Sequence, residues 1–132
     1  MGLYLWIALG GALGSMARFW LASLIANQWG EGFPWGTLIV NVIGCFVIGF
    51  FATFIVVDDK TIVGPSGRHF FMTGVLGGFT TFSSFSLQTL ALAREGAWAK
   101  AGGYVAGSVV LCLLAVWLGY VVASALRGAK GL

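Results

Sequence analysis

Four stretches of this chain, 3–26, 35–57, 69–92 and 99–126, are almost wholly apolar. Each exceeds the about 20 residues that a helix needs to cross a bilayer. In hydrocarbon every backbone amide and carbonyl must be bonded internally, which leaves only helices and closed barrels. Runs of this length suit helices, since a barrel strand spans with about 10 residues. The expectation is an all-α membrane protein, a single four-helix transmembrane domain over 1–132 in contact with the lipid bilayer.

The charge content closes the soluble alternative. Charged residues make up 8% of the chain and hydrophobic residues 59%, whereas a soluble domain carries about 25% charged residues. A cleaved signal peptide does not account for this, because apolar runs recur to the C-terminus. The basic residues do not cluster, so no nucleic-acid partner is expected. His69 has no obvious metal partners, and no CxxC or HExxH occurs. Cys45 and Cys112 lie inside apolar runs and read as small apolar or weakly polar fillers rather than a disulfide framework.

The connections carry the punctuation: NQWGEGFP at 27–34, DDKTIVGPSG at 58–67 and REGAWAK at 94–100. Both prolines fall there, and Trp6, Trp29, Trp35 and Trp98 stand near the expected ends as interfacial anchors. Orientation is weakly specified. Lys60, Arg68, Arg127 and Lys130 fall on one side, Arg94 and Lys100 on the other, with Arg18 near the second. So small a bias permits insertion both ways, and hence an antiparallel dimer of identical chains.

Several polar groups lie within the spans. Gly10 with Gly14, and Gly103 with Gly107, form GxxxG spacings that let helix backbones approach closely. Arg18 is the one charge deep in a span; it either snorkels to headgroups or attracts an ion. Asn41 shares a helical stripe with Thr37, Gly44, Cys45 and Ile48. Its amide reads either as an interhelical hydrogen bond or as an N–H donor to a permeating anion. Tyr104, Ser108 and Cys112 recur at every fourth residue and place weak hydrogen-bonding groups on one face.

The stretch GVLGGFTTFSSFS, 74–86, sits in the middle of the third run. Gly77 and Gly78 each weaken a helix by about 1 kcal/mol relative to alanine. Thr80, Thr81, Ser83, Ser84 and Ser86 then compete for backbone hydrogen bonds. A helix broken here frees carbonyl oxygens at membrane depth, which is tolerated only in protein or beside a cavity. Such oxygens suit a small hard cation such as Na⁺. Phe82 and Phe85 share a face beyond the break, and the positive edge of a phenyl ring can meet a small anion without gripping it.

With these residues in view, the whole chain resembles the Fluc, or CrcB, family of fluoride channels. GGFTTFSSFS at 77–86 resembles that family's broken third helix, GTLIVNVIG at 36–44 its second-helix signature, and GGALGSMAR at 10–18 its first helix with a single arginine. The resemblance implies an antiparallel dual-topology homodimer with two ion pathways. It implies a structural Na⁺ at the dimer centre, held by the carbonyls of Gly77 and Thr80. It places Asn41, Phe82 and Phe85 in the ion pathway, with the hydroxyls of Thr81, Ser83 and Ser84, Tyr104 and Ser108 as a polar track, and Arg18 nearby. Cys112 stands where a hydroxyl is expected, and Ser84 where threonine is frequent. The implied role is passive export of F⁻ across the bacterial inner membrane, with no enzymatic activity.

Three other classes fit less well. A small proton-coupled multidrug exporter needs a carboxylate within the membrane, yet Glu31, Asp58, Asp59 and Glu95 all fall in connections. A scaffold explains the glycines and aromatics but not Asn41 beside a broken helix. A membrane enzyme lacks a nucleophile–base pair or metal cluster.

Overall fold

The computed structural model describes residues 2–57, 60–61 and 63–130, so Asp58 and Asp59 lie outside the described residues. Four helical spans are long and apolar enough to cross a membrane: Gly2–Trp29, Trp35–Phe54, Pro65–Arg94 and Trp98–Gly128. The chain is a multi-pass membrane protein.

Helix α1 (Gly2–Trp29) ends at Gly30, whose φ of 79° is the left-handed conformation that closes a helix without a Cβ penalty. After the short connection, α2 (Trp35–Phe54) returns across the membrane. It stops before the expected residue 57, because Val56–Val57 (β1) pairs antiparallel with Lys60–Thr61 (β2). At the end of α2, Arg127 Nη1 donates to the Thr53 carbonyl at 3.0 Å, satisfying one of the carbonyls that a helix C-terminus leaves open.

The third span begins earlier than the expected residue 69. Helix α3 (Pro65–Arg68) starts with proline, which suits a first turn because that N–H has no helical acceptor. It continues as a π-helical segment, His69–Leu76, and one short turn, α4 (Gly77–Phe79). Thr80 and Thr81 are then extended, with ψ of 157° and 114°, before α5 (Phe82–Arg94) resumes. Gly96, with φ of 77°, turns the chain into α6 (Trp98–Lys130).

The break lets one span change neighbours. Its first half packs along α1, and its second half packs on α6, which itself lies along α2. Close approach of α1 requires glycine. A Cβ on Gly10 would meet Phe70 O and the Gly74 backbone, and one on Gly14 would meet Val75 O and Phe79 N. The other expected glycine pair behaves differently: Gly103 and Gly107 face open space within the chain. The contacts of α6 with α2 are made instead at Gly119 against Phe46 and Phe50, and at Gly49 against Val116.

A small core of Leu38, Phe85, Leu92, Ala101 and Tyr104 forms beside the break, with Phe33 and Val42 against it. The outer surface is apolar, including Phe19, Trp20, Leu87, Leu113 and Trp117. Water would penalise such a face, whereas lipid does not. Trp29 and Trp98 stand exposed at the end of the bundle where the expected interfacial belt falls.

Candidate functional site

The site is built on the two extended residues of the third span. In an unbroken helix the Thr81 N–H would reach back to the Gly77 carbonyl. Here it donates to Asn41 Oδ1 at 2.8 Å, while Asn41 Nδ2 donates to the Thr81 carbonyl at 3.0 Å. The amide therefore serves as a local backbone partner, and it fixes its own orientation, since only Oδ1 can accept from an N–H. The Gly77 carbonyl loses its usual amide. One N–H of Asn41 is used in this pair, and an amide carries two.

The hydroxyl run divides into two groups. Thr80 Oγ1 and Ser86 Oγ donate to carbonyls four residues back, those of Leu76 and Phe82, at 3.0 and 2.9 Å. Thr81 instead caps α5: its Oγ1 accepts from Ser84 N at 3.1 Å and donates to Ser84 Oγ at 3.1 Å. Ser83 Oγ lies 3.2 Å from the same atom. Thr81 is buried, Ser84 half-buried and Ser83 exposed.

Two cavities meet at this cap. One, of about 420 Å³, is bounded by Asn41, Thr80, Thr81, Phe82, Phe85 and Ser108, with Gly77 and Cys112 at its wall. The other, of about 710 Å³, opens toward the connections at 30–34 and 95–100 and includes Arg18, Thr37, Thr81, Ser84, Gln88 and Lys100. Thr81 lines both. Glu31 and Glu95 also edge the larger cavity, at its mouth rather than in mid-membrane. Lys100 Nζ donates to the Gly32 carbonyl at 3.2 Å and ties the first connection to the start of α6. Arg18 is half-buried, and among the described residues it makes no ion pair.

The two phenylalanines sit differently. Phe85 is 8% exposed and packs on Tyr104, with ring centroids 5.1 Å apart. Phe82 is 78% exposed on this chain, its centroid 5.2 Å from that of Phe85. Tyr104 is fully buried and donates its hydroxyl to Gln88 Oε1 at 2.9 Å. Gln88 is thus a site residue that the sequence reading passes over, although an amide within an apolar span is the same signal that marks Asn41. Ser108 is 7% exposed, and its Oγ has no hydrogen-bond partner among the described residues. A buried hydroxyl left in this state costs about 1–3 kcal/mol unless something else meets it.

Four membrane-crossing helices, the third broken beside two cavities that share Thr81, define a small multi-pass membrane protein. The chain belongs to the CrcB family: the family described as CrcB-like protein, Camphor Resistance (CrcB), matches residues 5–120. The resemblance drawn from the three motifs therefore holds at the level of family. Among similar curated proteins, one from Opitutus terrae is 65% identical over 131 residues, covering 99% of each chain. One from Methylocella silvestris is 57% identical over 128 residues, covering 97% of this chain and 98% of its own. One from Paramagnetospirillum magneticum is 56% identical over 121 residues, covering 92% and 94%. All three relatives carry the name fluoride-specific ion channel FluC.

Proposed function

We propose that the chain is a fluoride-selective channel, not an enzyme, that lets cytoplasmic F⁻ leave the cell passively across the bacterial inner membrane. The observation that carries this reading is Ser108, a buried hydroxyl with no hydrogen-bond partner among the described residues, bordering a cavity walled by Phe82 and Phe85. F⁻ holds its hydration shell tightly, so a pathway must replace water with donors. Ser108 offers an O–H, Asn41 retains a second N–H, and the phenyl rings offer positive edges. In this reading anions enter the larger cavity between the carboxylates of Glu31 and Glu95 at its mouth, meet Arg18 and Lys100, and pass by way of Thr81 and Ser84 to the smaller one. The smaller cavity carries few polar atoms, which by itself favours a weakly hydrated halide, so selection of F⁻ in this reading rests on these few close donors. The name that the similar proteins carry, fluoride-specific ion channel, supports the same ion.

The working form in this reading is an antiparallel, dual-topology homodimer. Phe82 stands largely outside the single chain, and Gly103 and Gly107 present bare backbone with nothing against it. A second copy would cover both. A Na⁺ at the junction would take the carbonyls of Gly77 and Thr80, which suit a hard cation. Gly77 is exposed and its carbonyl has lost the Thr81 amide to Asn41, which fits that role. Two carbonyls from one chain are too few for a cation's oxygen shell, so the partner would supply the rest. Such an ion would be structural, holding the two breaks together.

The test is reconstitution of the purified chain into liposomes loaded with F⁻ and Cl⁻, with efflux followed by ion-selective electrodes. F⁻ should leave and Cl⁻ should stay. Equal loss of both ions, or loss of neither, would overturn the reading.

A further inference from the structure

We propose that Cys45 and Cys112 form a two-thiol binding site for a soft, linearly coordinated cation such as Hg²⁺, Ag⁺ or Cu⁺, and that filling it closes the adjoining passage to anions. The closure rests on the channel reading; the binding site does not.

Cys45 lies on α2 and Cys112 on α6, and both thiols are free. Each stands one helical turn before the point where α2 and α6 touch, Cys45 before Gly49 and Cys112 before Val116. Both border the cavity of about 420 Å³ that also holds Asn41, Phe82, Phe85 and Ser108. The two helices that carry them are locked together at Gly49 against Val116 and at Gly119 against Phe46 and Phe50. The sulfur positions are therefore set by rigid elements, and little order has to be created when a cation arrives. One turn from Cys112, the unpartnered Ser108 Oγ supplies a third, weaker donor.

Ligand chemistry selects the occupant. Thiolates are soft donors and prefer soft cations; Mg²⁺ and Ca²⁺ need many hard oxygens. Among the described residues no group of three or more His, Cys, Asp or Glu gathers to hold a metal, so a tetrahedral Zn²⁺ site is not offered. Two thiols match the two-coordinate preference of the d¹⁰ ions named.

Binding involves no change of oxidation state. Each thiol releases its proton to water in the cavity, two S–H bonds break and two S–metal bonds form. With Hg²⁺ the product is neutral and bulky. With Ag⁺ or Cu⁺ the bis-thiolate carries one negative charge. The first fills the passage, and the second also repels an anion from a low-dielectric wall.

The experiment uses the full chain in detergent with Hg²⁺ as the probe, counting bound mercury and remaining thiols. The wild-type chain should take up one mercury and lose both thiols together. Cys45→Ser and Cys112→Ser should each bind about 10²-fold more weakly, because the second thiol acts at high effective concentration. In liposomes, Hg²⁺ should stop wild-type F⁻ efflux, and excess dithiothreitol should restore it. Each serine variant, compared with its own metal-free rate, should resist the same dose. Cys45→Ala and Cys112→Ala serve if a serine variant does not fold. Two mercuries per chain, or single-thiol variants that bind as tightly as wild type, would refute the site. Absence of F⁻ efflux before metal is added would refute the channel reading and leave the binding result to judge the site.

Discussion

Asn41 and Thr81 hold each other twice, the Thr81 N–H donating to the amide oxygen at 2.8 Å and the amide nitrogen donating to the Thr81 carbonyl at 3.0 Å. The pair replaces the helical bond that the Thr81 N–H loses at the break and adds a donor to the Thr81 carbonyl. It ties the middle of the third span to α2, and that fixes where Phe82, Phe85 and the Thr81 cap can stand.

Asn41→Leu should therefore cost stability as well as transport. It leaves the Thr81 N–H without a partner inside the membrane, at about 1–3 kcal/mol for such a group. Thermal unfolding in detergent should show a clear drop, and F⁻ efflux should fall with it. Asn41→Asp keeps an acceptor for the Thr81 N–H and, protonated at this depth, an O–H donor for the Thr81 carbonyl, so it should retain more stability than leucine. Equal stability of all three proteins would mean that the paired bonds do not hold the break.

Phe82→Ile and Phe85→Ile separate packing from conduction. Phe82 is mostly exposed on the single chain, so its replacement should shift subunit stability by no more than about 0.5 kcal/mol. Phe85 packs on Tyr104, and its loss should be felt in both readouts. Each variant should slow F⁻ efflux by at least about tenfold, equivalent to about 1.4 kcal/mol on the barrier. Undiminished flux in both would remove the rings from the mechanism.

Ser108→Ala offers a diagnostic of opposite signs. Removing an unpartnered buried hydroxyl should leave stability unchanged or raise it by about 1 kcal/mol. If that hydroxyl meets the anion, efflux should nevertheless fall. A variant that is both stable and fully conducting would take Ser108 out of the pathway.

Glycine substitutions should divide by position. Gly14→Ala drives a methyl into the Val75 carbonyl and should cost about 1–3 kcal/mol by overpacking. Gly103→Ala meets open space within the chain and should be neutral or mildly stabilising for the isolated subunit. Denaturant titration of the two variants side by side checks this, and subunit counting in lipid shows whether Gly103→Ala acts on dimer assembly instead.

Removal of Na⁺ should weaken the assembled channel. With N-methylglucamine in place of Na⁺ on both sides, efflux should fall, and adding Na⁺ back should restore it. Flux indifferent to the swap would argue against a structural cation at Gly77 and Thr80.

The four spans and the site of the break were readable from residue order, because hydrophobic length and glycine-hydroxyl content act locally. Asn41 was legible as an amide that needs a partner, though the partner was not. Gln88 carried the same signal and was passed over, since a single amide in an otherwise apolar run says nothing about its reach. The hydroxyl run gave no hint that Thr80 and Ser86 would turn back on their own helix while Thr81, Ser83 and Ser84 gathered at a cap. The two glycine pairs looked equivalent, yet only Gly10 and Gly14 meet another helix within the chain.

Residue order alone thus determined the solvent, the helical class and the weak point of the third span, all of which depend on neighbours along the chain. Tertiary structure alone decided that Asn41 would close the break, that Tyr104 would meet Gln88, that Ser108 would find no partner among the described residues and that Cys45 and Cys112 would border one cavity. Those pairings join residues on different helices, 40 positions apart for Asn41 and Thr81. Periodicity reports which face of a helix is apolar; it carries no information about which other helix that face will meet or at what height.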